Sequence, residues 1–347
     1  MKTRIYKISS SNVDAVAIKE AGEILRRGGL VAFPTETVYG LGGDALNDAS
    51  AARIYAAKGR PVDNPLIVHL GRIKDITAIA LEIPEVFYTL AEEFWPGPLT
   101  MILKKSPLVP DSTTGGLKTV AVRMPNHQTA LKLIEMAGGF VAAPSANLSG
   151  RPSPTKSKYV IEDMDGRVEM IIDGGETEIG LESTILDLTT SRPEILRPGS
   201  VTKEMLDPII ATNFPDIMEN SSPNVARAPG MKYRHYAPKG RLIIVDGEEK
   251  AVISYINAQV RKEKEAGLLT GVIASSETWK NYDADEIKCI GARQDEEGIA
   301  HNLYRVLREL DDKITDVIYS ETFSSEGIGQ AIMNRLLKAA SYQVVRV

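Results

Sequence analysis

The residues best suited to chemistry are cations and hydroxyls in short loops beside apolar runs. In KGRPVDNPL, Lys58 and Arg60 stand two apart and Asn64 precedes a second proline. On an extended segment alternate residues point the same way, so both cations can face one anion; a solvated basic turn is the plain alternative. In TVAVRMP, Arg123 sits inside an apolar run, where a charge is costly unless it is paired or holds an anionic ligand. Both readings stay open, as they do for His69 in LIVHL, which is either a satisfied core histidine or a ligand contact. VAAPSANLSGRPSPT sets Ser145, Asn147, Ser149 and Ser153 among small residues that let a ligand approach the backbone, although such residues also fill ordinary turns. GLESTILD brings Ser183 to the entry of a strand, and EILRPGS holds Arg197 just before Pro198. Lys58, Arg60, Arg123 and Arg197 together imply a small, strongly anionic ligand.

PTETVYGLGGDA, from Pro34 to Ala45, has the composition of an active-site loop but neither the G-x-x-x-x-G-K-[ST] nor the G-x-G-x-x-G spacing. It is expected to present the Thr35 hydroxyl, with Gly40, Gly42 and Gly43 letting the backbone turn tightly. The alternative is a plain strand-to-helix turn. Histidines at 69, 127, 235 and 301 have no metal-ligand spacing, and no G-x-S-x-G elbow is present. Glu36 and Glu182 are the candidate acids for paired-carboxylate hydrolysis, but a helix-cap or surface role is expected for each. Cys289 is the only cysteine, which excludes an intrachain disulfide and a thiolate metal cluster. Within IKCIG it is expected to be a buried structural thiol.

The elements that must position these residues alternate along the first 200 or so positions. RIYKI, LVAF, LIVHL, LTMIL, TVAVRM, FVAAP, MIID, STILDL and EILR read as strands, and VDAVAIKEAGEILRR as an amphipathic helix stopped at Gly28 and Gly29. The later strands leave no room for helices between them, so a mixed α/β sheet is expected. At 347 residues the chain exceeds one ordinary core, and two domains are expected. The divisions are 1–205, a Pro-, Ser- and Asn-rich linker at 206–240, and 241–347, where strand–helix alternation predicts a smaller Rossmann-like parallel α/β domain. From Arg241 onward there are 14 Lys+Arg against 18 Asp+Glu, and 27 against 28 before it. Neither part has the basic excess of a non-specific nucleic-acid binder. The N-terminal stretch lacks an apolar h-region and no run is long enough for a bilayer span, so a cytoplasmic protein without membrane contact is expected.

The ordered set PTETVYGLGGDA, KGRPVDNPLIVHL, FWPGPLT, TVAVRMP, APSANLSGRPSPT, GLESTILD and ILRPGS closely resembles the YrdC-like domain of threonylcarbamoyl-AMP synthases, and PGMKYRHYAP with its α/β tail resembles their long, two-domain form. The resemblance implies condensation of L-threonine, bicarbonate and ATP to threonylcarbamoyl-AMP, pyrophosphate and water, feeding a separate tRNA-modifying transferase. It implies that Thr35, His69, Arg123, the backbone of Ala143 and Ser183 hold threonine. By the same resemblance Arg60, Asn64, Thr119, Ser145, Ser153 and Arg197 hold the nucleotide, with Lys58 and Asn147 near its phosphates and Tyr233 or Tyr236 folded back from the linker. Mg²⁺ is expected to arrive with ATP, without a dedicated protein cage, and a monomer is expected. A weak tRNA contact is compatible with this reading; a double-stranded RNA- or tRNA-binding module and a relative that makes carbamoyl-AMP are the alternatives.

Overall fold

A computed structural model describes residues 2–8, 15–214, 227–229 and 235–347. The β-branched runs form strands, in chain order β1 (Arg4–Lys7), β2 (Val31–Phe33), β3 (Gly40–Asp44), β4 (Ile67–Leu70), β5 (Ala80–Leu81), β6 (Leu99–Lys105), β7 (Thr119–Arg123), β8 (Phe140–Ala142), β9 (Met170–Asp173), β10 (Thr184–Asp187) and β11 (Glu194–Arg197). They make one mixed sheet in the order β1-β9-β2-β3-β8-β4-β7-β6-β10-β11, with β5 on β6. Each nine predicted strands reappears within a residue or two. Alternation sends Val68, Leu99, Met101, Val120, Val122 and Leu186 into the main core, under helices such as Asp48–Lys58 and Glu85–Phe94.

GLGGD departs from expectation. It is not a tight turn but a strand, paired antiparallel to β2 (Val31 opposite Gly42) and to β8 (Gly43 opposite Ala142). The glycines are needed for close packing: a Cβ on Gly42 would lie 2.9 Å from the Phe33 ring and 3.0 Å from Val141 Cγ1. Strand propensity is poor here, and the neighbours' side chains fill the space instead.

The chain divides into two compact units, Met1–Ser149 with Ser153–Tyr233, and Gly150–Pro152 with Arg234–Val347. The second is built on β12 (Arg241–Asp246), β13 (Thr270–Ala274), β14 (Glu286–Cys289), β15 (Val317–Glu321) and β16 (Val344–Arg346), all parallel in the order β14-β13-β15-β12-β16. Within that unit Arg308, buried, donates from Nε and Nη2 to the Pro152 carbonyl at 3.0 and 2.7 Å. Cys289 is in a strand as expected, but it is exposed, because β14 is an edge strand and Cys289 ends it. Among the described residues no helix is long and apolar enough to cross a membrane.

Candidate active site

The sheet register aligns the polar residues. His69 of β4 lies opposite Arg123 of β7, Met101 of β6 opposite Val122, Thr184 of β10 opposite Leu99, and Ile185 opposite Arg197 of β11. Since neighbouring side chains enter the core, His69, Arg123, Thr100, Ser183 and Arg197 form a row on the opposite face. Five strands at ~4.8 Å spacing make that row about 19 Å long. Beside it lies a small apolar cluster, Ile67, Ile102, Ala121, Ile185 and Leu196, on which Ala228 is seated. Arg227 pairs with Asp187 and with Glu194 (2.8 Å), tying this piece of the linker to the same sheet.

Toward one end of the row Arg123 is 4% exposed and engages Gly97 and the connection between β2 and β3. Its Nε donates to Gly97 O (3.1 Å) and its Nη1 to Thr37 Oγ1 (3.0 Å). Thr37 and Thr35 share a 2.8 Å hydroxyl contact, and Thr35 Oγ1 donates to Val38 O at 2.7 Å. Arg123 Nη2 stands 2.7 Å from Glu36 Oε1, which also accepts from the Asn126 N–H at 2.9 Å. That ion pair is off the axis of a hydrogen bond, so Nη2 and the buried Glu36 Oε2 each lack a hydrogen-bond partner. The two readings of Arg123 therefore resolve to a buried salt bridge that still has bonding capacity.

His69 is buried beside Arg123, with Nδ1 3.2 Å from Ile67 O. Desolvation, and next the guanidinium, press its pKa down to about 3, so the ring is neutral at physiological pH. Ala143 donates its N–H to Ile67 O (2.9 Å).

At the other end Arg197 donates from Nε to Ser183 O (3.0 Å) and from Nη2 to Ser183 Oγ (3.1 Å), and Ser183 Oγ is 2.8 Å from Thr100 Oγ1. One hydroxyl hydrogen of the Ser183–Thr100 pair remains for a ligand. Thr119 begins β7, four residues before Arg123 on the same face, roughly 13 Å along the strand. It borders a groove of about 940 Å³ lined by Lys104, Lys105 and Lys118.

Lys58 and Arg60 do not share an extended segment. Lys58 closes the helix Asp48–Lys58, and Gly59 breaks it in the left-handed region at φ 61°. The Lys58 ammonium is buried among the Ser145 carbonyl, the Asn147 carbonyl (2.5 Å) and Asn147 Oδ1 (3.4 Å), while Ser145 Oγ donates to Asn147 Oδ1 at 2.5 Å. Arg60 instead grips the Asn64 and Pro65 carbonyls at 3.0–3.4 Å. The Asn64 amide is buried with neither end hydrogen-bonded. Ser153 Oγ donates to Glu182 Oε1 at 2.6 Å.

Glu36 and Glu182 are thus neither surface residues nor helix caps: both are buried, Glu36 with the Asn126 N–H and the Arg123 charge as partners and Glu182 with the Ser153 hydroxyl. Thr37 and Thr100 also belong to the site, and only the register across β6, β7 and β10 exposes the second of them. Tyr236 falls in the second unit, its ring 5.3 Å from that of Tyr304 and 5.8 Å from the Arg335 guanidinium. Tyr233 lies outside the described residues.

The family described as Telomere recombination matches residues 23–199, and that described as Threonylcarbamoyl-AMP synthase, C-terminal domain, matches residues 201–341. A threonylcarbamoyl-AMP synthase of Pyrococcus abyssi is 49% identical over 331 residues, 95% of this chain and 96% of its own length. The chain belongs to the threonylcarbamoyl-AMP synthase family. A second family member, from Bacillus subtilis, is 45% identical over 95% of this chain and 94% of its own. The crystal structure of P. abyssi Sua5 complexed with L-threonine superimposes with a TM-score of 0.94 at 47% identity, covering 99% of this chain and 100% of that one. As a threonylcarbamoyl-AMP synthase family member the chain has both parts of the long form, the mixed sheet and the separate parallel sheet.

Proposed function

We propose that this chain condenses L-threonine, bicarbonate and ATP to threonylcarbamoyl-AMP, releasing pyrophosphate and water. The observation that carries the reading is the row of buried cations and hydroxyls on the sheet face, in a chain whose family relatives bear that name and one of which binds L-threonine. Carboxylate, carbamate and triphosphate must meet in one place, so positioning and charge neutralisation are the main demands on the protein.

In this reading Arg123 takes the threonine carboxylate, while Thr35, neutral His69, the backbone of Ala143 and Ser183 hold the rest of the molecule. The nucleotide runs along the face toward Thr119, against Arg60, Asn64, Ser145, Ser153 and Arg197, with Lys58 and Asn147 at the phosphates. The unpartnered Asn64 amide supports this, since a buried polar group without a partner is costly until a ligand supplies one. Mg²⁺ would be held chiefly by phosphate oxygens and water. The linker, represented by Arg227 and Ala228, would shield a labile carbamate from water. The product would pass to a tRNA-modifying transferase.

The test is pyrophosphate release with ATP, Mg²⁺ and bicarbonate, with and without L-threonine, together with mass detection of the adenylate. Threonine-dependent release with the threonylcarbamoyl-AMP mass is expected. Release indifferent to threonine, with no such mass, overturns the reading and brings carbamoyl phosphate and RNA forward as substrate and ligand.

A further inference from the structure

Glu36 has no place in the contact set just described, yet its position is the least explicable as packing. A carboxylate 3% exposed normally has both oxygens satisfied. Here Oε1 has the Asn126 N–H and the guanidinium, while Oε2 has no hydrogen bond and Arg123 Nη2 is misaligned for one. The pair thus holds one anionic acceptor and one cationic donor, both buried, both short of a partner and belonging to groups that touch each other.

An α-amino acid zwitterion is complementary to that arrangement. Its ammonium sits one carbon from its carboxylate, so a carboxylate docked on Arg123 carries the ammonium to whatever borders Arg123 on the same side. We propose that Glu36 Oε2 receives the ammonium of the bound amino acid and accepts its proton. The inference rests on the reading of Arg123 as the carboxylate site. Oε2 approaches an N–H of the ammonium; that N–H bond breaks, an O–H bond forms on Oε2, and the electron pair stays on nitrogen as the nucleophile for carboxylation. Charge balances throughout: carboxylate and ammonium become carboxylic acid and amine. Neutral His69 does not compete for the proton, because any charge there would face the Arg123 guanidinium in a desolvated site.

Two measurements test this. Calorimetric binding of L-threonine to the full chain is compared with binding of the analogue that carries a hydroxyl in place of the ammonium. The parent is expected to favour threonine at least about tenfold, and Glu36→Gln, which keeps shape and the Asn126 hydrogen bond, to bring the two within about threefold. A parent that does not discriminate overturns the proposal whether or not the variant folds, and so does a variant that discriminates as the parent does. In the second, the rate at saturating threonine is followed against pH. Glu36→Gln is expected to run about a hundredfold slower near neutrality and to recover as pH rises and free amine supplies the deprotonated form. A variant with an unchanged profile, or one that only raises KM, makes Glu36 a counter-ion for Arg123 and sinks the base role. If the parent yields no threonylcarbamoyl-AMP at all, the proposed reaction fails, while the binding comparison still reads on Glu36.

Discussion

At the scale of residues, the buried Arg123–Glu36 pair separates stability from function. Arg123→Ala leaves the Glu36 carboxylate buried without its cation, and a loss of about 3–5 kcal/mol is expected in urea unfolding, with threonine-dependent pyrophosphate release abolished. Replacing both, Arg123→Met with Glu36→Met, should restore most of the stability, because the desolvation cost of two charges disappears with them, while activity stays lost. His69 gives a second expectation with a definite sign. Its folded pKa, about 3, lies below the ordinary 6.5, so the unfolded chain takes up a proton first as pH falls. Its contribution is complete above pH 6.5 and is lost between there and about 3, with a slope of up to about 1.4 kcal/mol per pH unit. His69→Gln should flatten the acid limb of the stability curve relative to the parent. Arg123 was legible in the sequence because a charge among apolar neighbours demands an explanation. Glu36 was not, because T-E-T reads as a polar turn, and its burial is created by Arg123, 87 positions away.

At the scale of elements, the strands were legible wherever β-branched residues alternate, and they failed to appear where the strand has almost no side chains. β3 is a strand by virtue of Phe33, Leu30, Ile54 and Val141, which occupy the space its own residues leave. Gly42→Ala puts a methyl 2.9 Å from Phe33 Cε1, and a loss of about 1–3 kcal/mol is expected on thermal unfolding. Phe33→Leu in the same chain should return part of it, since the clash is with the far edge of that ring. The K-G-R segment failed for a different reason. Period-two reasoning assumes an extended backbone, whereas Gly59 adopts φ 61° and closes the helix that delivers Lys58. The two cations therefore reach separate carbonyl nests from opposite sides of a helix stop.

At the scale of the whole molecule, the predicted two-domain division passes over a detail no composition reveals: Gly150–Pro152 groups with the second unit although it interrupts the serine-rich loop of the first. The Arg308 guanidinium makes two hydrogen bonds to one carbonyl of that tripeptide, and the Ala237 N–H donates to the Gly150 carbonyl at 2.9 Å. The linker's part in the reaction is testable without cutting the chain. Ala228→Glu forces a charge onto Ile67, Ala121 and Ile185, and should lower product formation by up to about a hundredfold with little change in melting temperature. Unchanged product formation would remove the linker from the mechanism. The glycine strand has a last consequence, for the order in which the protein assembles. β3 joins the β1-β9-β2 side of the sheet to β8 and everything beyond it, but three of its five residues are glycines and Leu41 is its one apolar side chain in the core. Its pairing with β8 also spans about a hundred positions of chain. The seam should therefore close late, after both halves exist, and open first: in native-state hydrogen exchange the amides of Gly40–Asp44 should exchange at lower free energy than those joining β6 to β7.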